Sequence, residues 1–284
     1  MDVEARFADR ASSRYMVLPL GYEGTTTFGK GCDQGPDAII TASQQVELFD
    51  EQYLDEFYEA GVHTCKPVDF SGVTPEQAQE SIYQAAAPLM REGKFVLGLG
   101  GEHSISAALV RAAKEVWPGL CVLHFDAHAD LRDHYQGSKF SHACVMRRIY
   151  ELGVPFVSVG IRSFDREQHE FMRERNLHPI TPARLAADRA GSIRQILEAL
   201  SGPVYLTFDI DALDPALAPG TGTPEPGGLS YYEVLAILTA VGQAQKIIGA
   251  DMVEVMPLAG SVVTEFLAAR LAYKIIAASQ LQRA

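Results

Sequence analysis

Apolar and polar positions along this chain form two kinds of segment that follow one another in turn. Short, nearly continuous apolar runs at 15–20, 94–99, 120–126, 156–160, 204–209 and 247–255 predict buried strands. Stretches with helical spacing at 75–91, 104–116, 166–175, 191–200, 231–243 and 262–281 predict helices. Strands that are apolar on both faces and separated by helices are typical of a parallel sheet covered on both sides. The pattern therefore predicts an α/β fold.

No linker, internal repeat, low-complexity tract or charge block interrupts this alternation. A length of 284 residues is near the upper limit for one domain with a large core. We therefore expect a single domain over residues 1–284. In open α/β sheets, ligands bind at the carboxyl ends of the strands, so the functional site is expected there.

Carboxylates and a histidine follow two of the predicted strands. Asp126, His128 and Asp130 stand at alternate positions after one strand, and Asp209 and Asp211 after another. If these segments are extended strand ends, alternate side chains point to the same side and converge on a common point. Taken alone, each pair of aspartates is also compatible with ordinary capping or turn residues.

Charge favours the convergent interpretation of these aspartates. Four carboxylates gathered in a partly desolvated pocket would repel one another, and two divalent cations would balance their charge. Mixed carboxylate and imidazole ligands suit manganese, iron or zinc better than calcium, and the absence of cysteine argues against a closed structural zinc site. The two motifs therefore predict a two-metal site.

A glycine-rich turn at 98–101 precedes His103. This segment does not fit a nucleotide-binding loop, because His103 occupies the third glycine position of GxGxxG and no GKS or GKT follows. A tight turn between a strand and a helix is the better interpretation. Such a turn would place His103 at another strand end, beside the predicted metals.

Composition and charge restrict the partners of this protein. The net charge of −12 disfavours nucleic acid and anionic membranes as partners and mildly favours a cationic ligand. No signal peptide is evident at the N-terminus, and no uncharged apolar stretch reaches membrane-spanning length. The cysteines lack CxxC pairing, which suits a reducing compartment with free thiols; they are Cys32, Cys65, Cys121 and Cys144. We therefore expect a cytoplasmic protein.

The motifs together resemble those of the ureohydrolases, the family of arginase and agmatinase. The matching segments read GGEHS at 100–104, DAHAD at 126–130, SH at 141–142, TFDIDALDP at 207–215, PGTGTP at 219–224 and MVEV at 252–255. They span most of the chain in family order. The resemblance implies a three-layer α/β/α arginase-like fold with a mainly parallel sheet. It also implies two Mn²⁺ ions per subunit and hydrolysis of a guanidino group to urea and an amine.

The resemblance also implies roles for individual residues in this reaction. Asp126 and Asp209 would bridge the two ions, His103 and Asp130 would complete one site, and His128 and Asp211 the other. The complete implied ligand set is His103, Asp126, His128, Asp130, Asp209 and Asp211. A hydroxide bridging the two ions would attack the guanidinium carbon, since metal binding strongly lowers the pKa of water.

Three residues would serve the reaction itself. Asp130 would accept a hydrogen bond from the bridging hydroxide. His142 matches the histidine that contacts the substrate and delivers a proton to the leaving amine. Glu254 matches the carboxylate that orients the guanidinium through paired hydrogen bonds. From the residue alone, an ordinary salt bridge would be the simpler interpretation of Glu254.

The substrate expected first is agmatine, hydrolysed to putrescine and urea in polyamine biosynthesis, because the loop 131–144 resembles that of agmatinases. N1-aminopropylagmatine, guanidinobutyrate and arginine are the alternatives. Residues 143–145 and 29–30 depart from the usual family pattern, so the resemblance assigns no residue to the substrate tail. Acidic candidates for the tail site are Glu23, Asp133 and Glu225.

Further expectations concern alternative functional classes, the oligomeric state and the identity of the metal ion. A single-zinc deacetylase of related fold and a non-catalytic metal-binding protein are the alternatives outside the ureohydrolases; the intact set of six ligands counts against the first. Family analogy predicts a homo-oligomer, either a trimer or a hexamer. His124 points to the same side as Asp126 but lies farther back along the strand, so we expect it to pack beside the site rather than to bind a metal. Nickel and zinc remain alternatives to manganese.

Overall fold

A single sheet of parallel strands organises the computed structural model, which describes residues 4–283. Within that range the sheet has seven strands in the order β2-β1-β3-β7-β6-β4-β5, and every neighbouring pair is parallel. The strands are β1 (Tyr15–Leu20), β2 (Val62–Thr64), β3 (Phe95–Gly100), β4 (Cys121–Phe125), β5 (Phe156–Val159), β6 (Val204–Asp209) and β7 (Ile247–Val253).

Helices cover both faces of this sheet and enclose two apolar cores. On one face α2, α3, α4 and α5 pack over side chains such as Met16 and Val122. On the other face α1, α6, α7, α8 and α9 pack over side chains such as Val17 and Leu123. The helices are α1 (Gly35–Ser43), α2 (Pro75–Arg91), α3 (Ile105–Val116), α4 (Val145–Glu151), α5 (Arg166–Glu174), α6 (Pro182–Ala187), α7 (Arg189–Ala199), α8 (Tyr231–Ala244) and α9 (Val263–Ala278).

Capping side chains determine where several of these helices begin. Thr74 and Gln77 form a reciprocal capping box at the start of α2, and Ser230 and Glu233 form another at the start of α8. Each box satisfies two backbone N–H groups that would otherwise lack partners. Among residues 4–283 no helix is both long enough and apolar enough to cross a membrane.

The predicted elements all exist, and four further elements were missed. The missed elements are β2, α1, α4 and α6, which are short; β2 has three residues at the edge of the sheet and none of them is fully buried. Periodicity over so few residues carries little signal. The last predicted strand ends at Val253 rather than at 255, because Glu254 has a positive φ of 60° that ends the extended conformation.

Candidate active site

The carboxyl ends of four adjacent strands, β3, β7, β6 and β4, form the floor of the candidate site. His103 lies three residues beyond the end of β3, and Asp126 lies directly after β4. Asp209 is the last residue of β6, and Glu254 directly follows β7. Because these strands are parallel neighbours, residues that are distant in sequence meet at one edge of the sheet.

Three carboxylates surround one nitrogen of His103. Its Nδ1 atom lies 3.1 Å from Asp126 Oδ2, 3.3 Å from Asp130 Oδ2 and 3.4 Å from Asp209 Oδ2. All four side chains are buried. Nδ1 is buried without a hydrogen-bond partner among the described residues, although acceptor oxygens surround it. A buried nitrogen left unsatisfied is costly, so this arrangement suits a cation held between the ring and the carboxylates.

A second group of carboxylate oxygens lies around His128. Its Nδ1 atom lies 2.9 Å from Asp211 Oδ2 and 3.5 Å from Asp126 Oδ1. Asp126 therefore presents one oxygen to each histidine. His103, His124 and Asp126 lie close enough to share one metal ion, and Asp126, His128 and Asp211 lie close enough to share another. The structure thus brings together all six residues that the sequence proposed as ligands.

The reason for this convergence differs from the one expected from strand alternation. β4 ends at Phe125, so Asp126, His128 and Asp130 lie on a loop, and Asp130 has a left-handed φ of 51°. Asp211 lies on a 3₁₀ turn, Ile210–Ala212, that follows β6. The loop and the turn aim the side chains inward. The prediction of strand alternation was therefore wrong for these segments, although their convergence was expected.

Backbone N–H groups hold one oxygen of each of three aspartates. Asp126 Oδ1 accepts from the N–H of His128 at 2.6 Å, and Asp209 Oδ1 accepts from that of Asp211 at 2.9 Å. Asp211 Oδ1 accepts from the N–H of Ala127 at 3.0 Å. Each of these carboxylates therefore has at least one oxygen oriented by the protein, which restricts how the other can move.

His124, on β4, contacts the carboxylate of Asp126. Its Nε2 atom is 2.9 Å from Asp126 Oδ2, and its Nδ1 atom is 2.9 Å from Ser158 Oγ. Both ring nitrogens are therefore engaged in a fully buried position. His124 is also within reach of an ion shared by His103 and Asp126, so its packing beside the site stays a prediction.

The buried charges strongly change the acidities of the site residues. Burial lowers the pKa of His103, but the carboxylates of Asp126, Asp130 and Asp209 outweigh it and raise that pKa well above its usual value. Burial likewise opposes the effect of Asp126 and Asp211 on His128, whose pKa is raised to about 12. Without metal ions, protons on these rings supply the positive charge that the carboxylates require.

Two of the aspartates respond in opposite directions. Burial, together with the charges of Asp211 and Asp126, raises the pKa of Asp209 well above its usual value. Burial also acts on Asp126, but hydrogen bonds from His103, His124 and His128 prevail and hold its pKa well below the usual value. Asp126 is therefore the more strongly stabilised of the two as an anion.

Glu254 faces the same cavity from the end of β7. Its Oε1 atom accepts from the N–H of His103 at 2.8 Å, and its own N–H donates to Gly101 O at 2.8 Å. Burial raises the pKa of Glu254 to about 8. A left-handed backbone at a non-glycine residue is costly and persists where the surroundings enforce it. The sheet edge therefore holds this carboxylate in a fixed position.

His142 also lines this cavity, at the start of a 3₁₀ turn, His142–Cys144. Its backbone N–H donates to Thr25 Oγ1 at 3.0 Å, and its ring lies edge-on to Tyr135 with centroids 5.9 Å apart. His142 therefore borders the cavity without being part of the carboxylate cluster.

A cavity of about 340 Å³ connects these groups. Tyr135, Phe164 and Asp165 contribute to its wall beyond the metal-ligand candidates, His142 and Glu254. Asp165 caps α5 and pairs with Arg132 at 2.5 Å. Sequence analysis did not identify these three residues as candidates. Tyr135 lies within the loop 131–144, and Phe164 and Asp165 directly precede the predicted helix 166–175.

The acidic candidates for the substrate tail are placed differently from one another. The carboxylate of Glu23 accepts hydrogen bonds from Thr26 Oγ1 and from the N–H of Gly31, both at 2.9 Å. Asp133 forms an ion pair with Arg148 at 2.9 Å. Neither lines the cavity. Glu225 lies at the rim, with Oε1 3.8 Å from His128 Nε2 and 2.9 Å from Ser163 Oγ.

Arg162 holds the loops around this rim in place. Its guanidinium donates to the carbonyl oxygens of Asp211 at 2.9 Å and Glu225 at 2.6 Å, and its Nε donates to that of Pro226 at 3.0 Å. Sequence reasoning missed this role, because the partners are backbone atoms of distant loops.

Comparison with known proteins relates this site to one family. The family model described as "Arginase family" matches residues 13–278. The chain is 40% identical over 273 residues to the N(1)-aminopropylagmatine ureohydrolase of Synechocystis sp., covering 94% of this chain and 89% of the relative. It is 34% identical over 284 residues to the agmatinase of Pyrococcus horikoshii, covering 98% and 96% of the two chains.

Solved structures agree with the sequence relatives. The agmatine ureohydrolase of Thermoplasma volcanium superposes with a TM-score of 0.84 at 29% identity, covering 98% of this chain and 93% of that chain. The predicted α/β fold of the arginase type, with layers of helices on both sides of a parallel sheet, is confirmed.

Proposed function

The chain belongs to the arginase family, and we propose that it is a ureohydrolase of the agmatinase type that releases urea from a cationic guanidinoalkylamine. One observation carries the proposal. Two histidines and four aspartates surround a buried point at the edge of the sheet, and Glu254 and His142 face the same cavity.

These two histidines and four aspartates fit two divalent cations, and we propose Mn²⁺ as the resident ion. Four carboxylates and two imidazoles are hard and borderline ligands that suit manganese. Asp126 presents an oxygen to each histidine, as a bridging ligand requires. When bound, the two ions would neutralise the carboxylates and lower the pKa of a water molecule between them.

Glu254 is proposed to bind the guanidinium group of the substrate. Its carboxylate is buried and held at Oε1 by the N–H of His103, which leaves Oε2 for a charge-assisted hydrogen bond. Such a bond would fix the guanidinium carbon beside the metal ligands. Positioning of this kind removes much of the entropic part of a barrier.

Asp130 and His142 are proposed to handle protons during the reaction. Asp130 Oδ2 lies 3.3 Å from His103 Nδ1, where it would accept a hydrogen bond from the attacking water. His142 lines the same cavity and would donate a proton to the leaving amine. Without that proton the amine would leave as an unstable anion.

Two substrates fit this proposal. Agmatine is the one that the sequence motifs favour. N1-aminopropylagmatine is favoured by similarity, because the Synechocystis relative that bears this name is more similar to the chain than the Pyrococcus agmatinase is. Asp165 in the cavity wall and Glu225 at the rim are candidates to bind the additional ammonium of the longer substrate.

Urea release with the Mn²⁺-loaded protein tests the proposal. The panel would contain agmatine, N1-aminopropylagmatine, guanidinobutyrate and arginine, with kcat/KM measured for each. We expect both cationic amines to be preferred over guanidinobutyrate and arginine, and their ratio identifies the substrate. No urea from any of them, with full metal occupancy, would favour a non-catalytic metalloprotein. Release of acetate from an acetylated amine would favour the deacetylase alternative.

The remaining expectations concern assembly and location. We propose a homo-oligomer, a trimer or a hexamer, in the cytoplasm. Sedimentation equilibrium of the purified protein would measure its mass directly. A monomer at micromolar concentration would contradict the oligomer.

A further inference from the structure

The hydroxyl group of Thr25 connects a buried carboxylate to the ring of His142. Thr25 Oγ1 donates to Glu102 Oε1 at 2.6 Å. The same oxygen lies 3.2 Å from His142 Nδ1 and accepts from the backbone N–H of His142 at 3.0 Å. Thr25 lies in the loop after β1, Glu102 in the turn after β3 and His142 in the loop after β4. Three distant segments therefore meet at one hydroxyl.

Glu102 is saturated with donors and completely buried. Its Oε2 atom accepts from the N–H groups of Gly24 at 2.8 Å and Thr25 at 2.6 Å. Its Oε1 atom accepts from Thr25 Oγ1 and from Ser104 Oγ, both at 2.6 Å. A carboxylate anion is an acceptor only, and this one has a donor at every contact.

The direction of the Thr25 hydrogen bond determines what His142 can do. A threonine hydroxyl has one hydrogen, and the short contact with the Glu102 carboxylate takes it. The oxygen of Thr25 is then only an acceptor toward His142. A hydrogen bond at the 3.2 Å contact requires a proton on Nδ1.

We propose that Glu102, acting through Thr25, holds neutral His142 in the tautomer with the proton on Nδ1. The Nε2 atom is then the nitrogen that exchanges protons with the cavity. Glu102 and Thr25 are positioning residues, and the inference rests on the proposed role of His142 as proton donor.

Proton balance follows from this tautomer. Nε2 binds one proton from solvent and delivers that same proton to the leaving nitrogen, while the proton on Nδ1 stays on the Thr25 side. If Thr25 instead donated to Nδ1, charging the ring would place two hydrogens against each other. The Glu102 carboxylate prevents this by accepting the threonine hydrogen.

Ser141 offers a competing arrangement. Its Oγ atom lies 3.4 Å from His142 Nδ1, and its side chain is buried. If this hydroxyl donated to Nδ1, neutral His142 would carry its proton on Nε2. The two arrangements therefore predict opposite tautomers.

Substitutions at Thr25 test the inference. Thr25→Val removes the hydroxyl while keeping the branched shape, and Thr25→Ser keeps the hydroxyl. Thr26→Val is the matched control, because it makes the same change in the same loop but removes a contact with Glu23 instead. We expect Thr25→Val to lower kcat about tenfold or more with little change in KM, since general acid catalysis contributes about 10²–10⁴-fold. Thr25→Ser should recover most of kcat, and Thr26→Val should stay near the parent value.

The tautomer is read directly from ¹⁵N shifts of the histidine rings in Zn²⁺-loaded protein. The His142 signals are assigned by their loss in His142→Ala. We expect Nδ1 to be protonated and Nε2 bare in the parent protein, with the preference lost in Thr25→Val and kept in Ser141→Ala.

Two results would overturn the inference. One is a parent spectrum with the proton on Nε2; the other is an unchanged tautomer in Thr25→Val. Both readouts are independent of turnover. Full activity of His142→Ala would instead contradict the proposed proton donor, so the two failures are distinguishable.

Discussion

Thr207 orients His103 from inside the sheet: His103 Nε2 lies 2.9 Å from Thr207 Oγ1. The hydrogen of that hydroxyl is directed to buried Asp251 Oδ1 at 2.7 Å. Asp251 also accepts from Ser106 Oγ and Tyr205 OH. Because Thr207 gives its hydrogen to Asp251, its oxygen accepts from Nε2 of the ring. When a metal ion displaces the second proton of the ring, Nδ1 is the nitrogen that faces the carboxylates and can act as a ligand.

The first prediction concerns the contact between Thr207 and His103. Thr207→Val should weaken Mn²⁺ binding by about 10- to 100-fold, because residues that orient a metal ligand contribute that much to affinity. Free Mn²⁺ is measured by electron paramagnetic resonance during titration. Tyr205→Phe is the control, since it removes a donor to Asp251 but leaves the His103 contact. Equal affinities for parent and Thr207→Val would rule out this role.

The second prediction concerns pH. The pKa values of His103 and His128 are raised in the metal-free protein, that of His128 to about 12, so both rings carry protons at neutral pH. Metal binding must release these protons, and affinity should therefore rise with increasing pH. Calorimetry at pH 7 in buffers of different ionisation enthalpy measures the release. A binding enthalpy that is the same in every buffer would contradict it.

Rising pH should lower the stability of the metal-free protein, whereas it should raise the affinity for metal ions. Raised histidine pKa values stabilise the metal-free fold fully below the unfolded value of about 6.5. That stabilisation is lost as pH rises towards the folded values. The gain in unfolding temperature on adding Mn²⁺ should therefore be larger at pH 8.5 than at pH 6.

The third prediction concerns His142. His142→Ala should keep both metal ions and lose roughly 10²–10⁴-fold of turnover, because the ring lines the cavity but belongs to neither group that could hold a metal ion. Metal content by mass spectrometry and urea release by a coupled assay give the two numbers. Loss of one metal ion from this variant would show that His142 is a ligand.

The fourth prediction concerns Glu254. The assay is run above pH 8, where Glu254 is ionised despite its raised pKa of about 8. Glu254→Gln keeps an acceptor for the N–H of His103 but removes the charge that faces the guanidinium. We expect kcat/KM to fall roughly 10- to 100-fold, since hydrogen bonds to charged groups contribute about 1.5–3 kcal/mol. Mn²⁺ affinity should change little by comparison. If affinity fell as much as kcat/KM, Glu254 would act on the metal site rather than on the substrate.

The fifth prediction concerns stability far from the site. Lys274 of α9 pairs with Asp50 at 2.8 Å, and both side chains are fully buried. Lys274→Met should lower the free energy of unfolding by about 3–5 kcal/mol, because it leaves Asp50 buried without its counter-charge. Urea denaturation measures the change. In an Asp50→Asn background the same substitution should cost much less, and an equal cost would exclude the ion pair as the cause.

Long apolar runs and helical periodicity were enough to predict the α/β class and most elements, since burial on both faces leaves a strong pattern. Short elements such as β2 and α4 were missed because three to seven residues carry too little periodicity. The ligand motifs were visible because several carboxylates and histidines follow directly on apolar runs, where parallel strands deliver side chains to one edge. The expected strand alternation failed, since backbone φ at Asp130 is decided by its surroundings.

The amino-acid order by itself determined the layers of the fold, the acidic character of the site and the six donors that approach one another. Tertiary structure decided which hydroxyl groups form hydrogen bonds with the histidines of the site. Thr25 meets Glu102 and His142, and Thr207 meets Asp251 and His103, only because strands and loops distant in sequence become neighbours in the sheet. Hydrogen-bond direction depends on the complete set of partners around each atom, and no local pattern encodes that set.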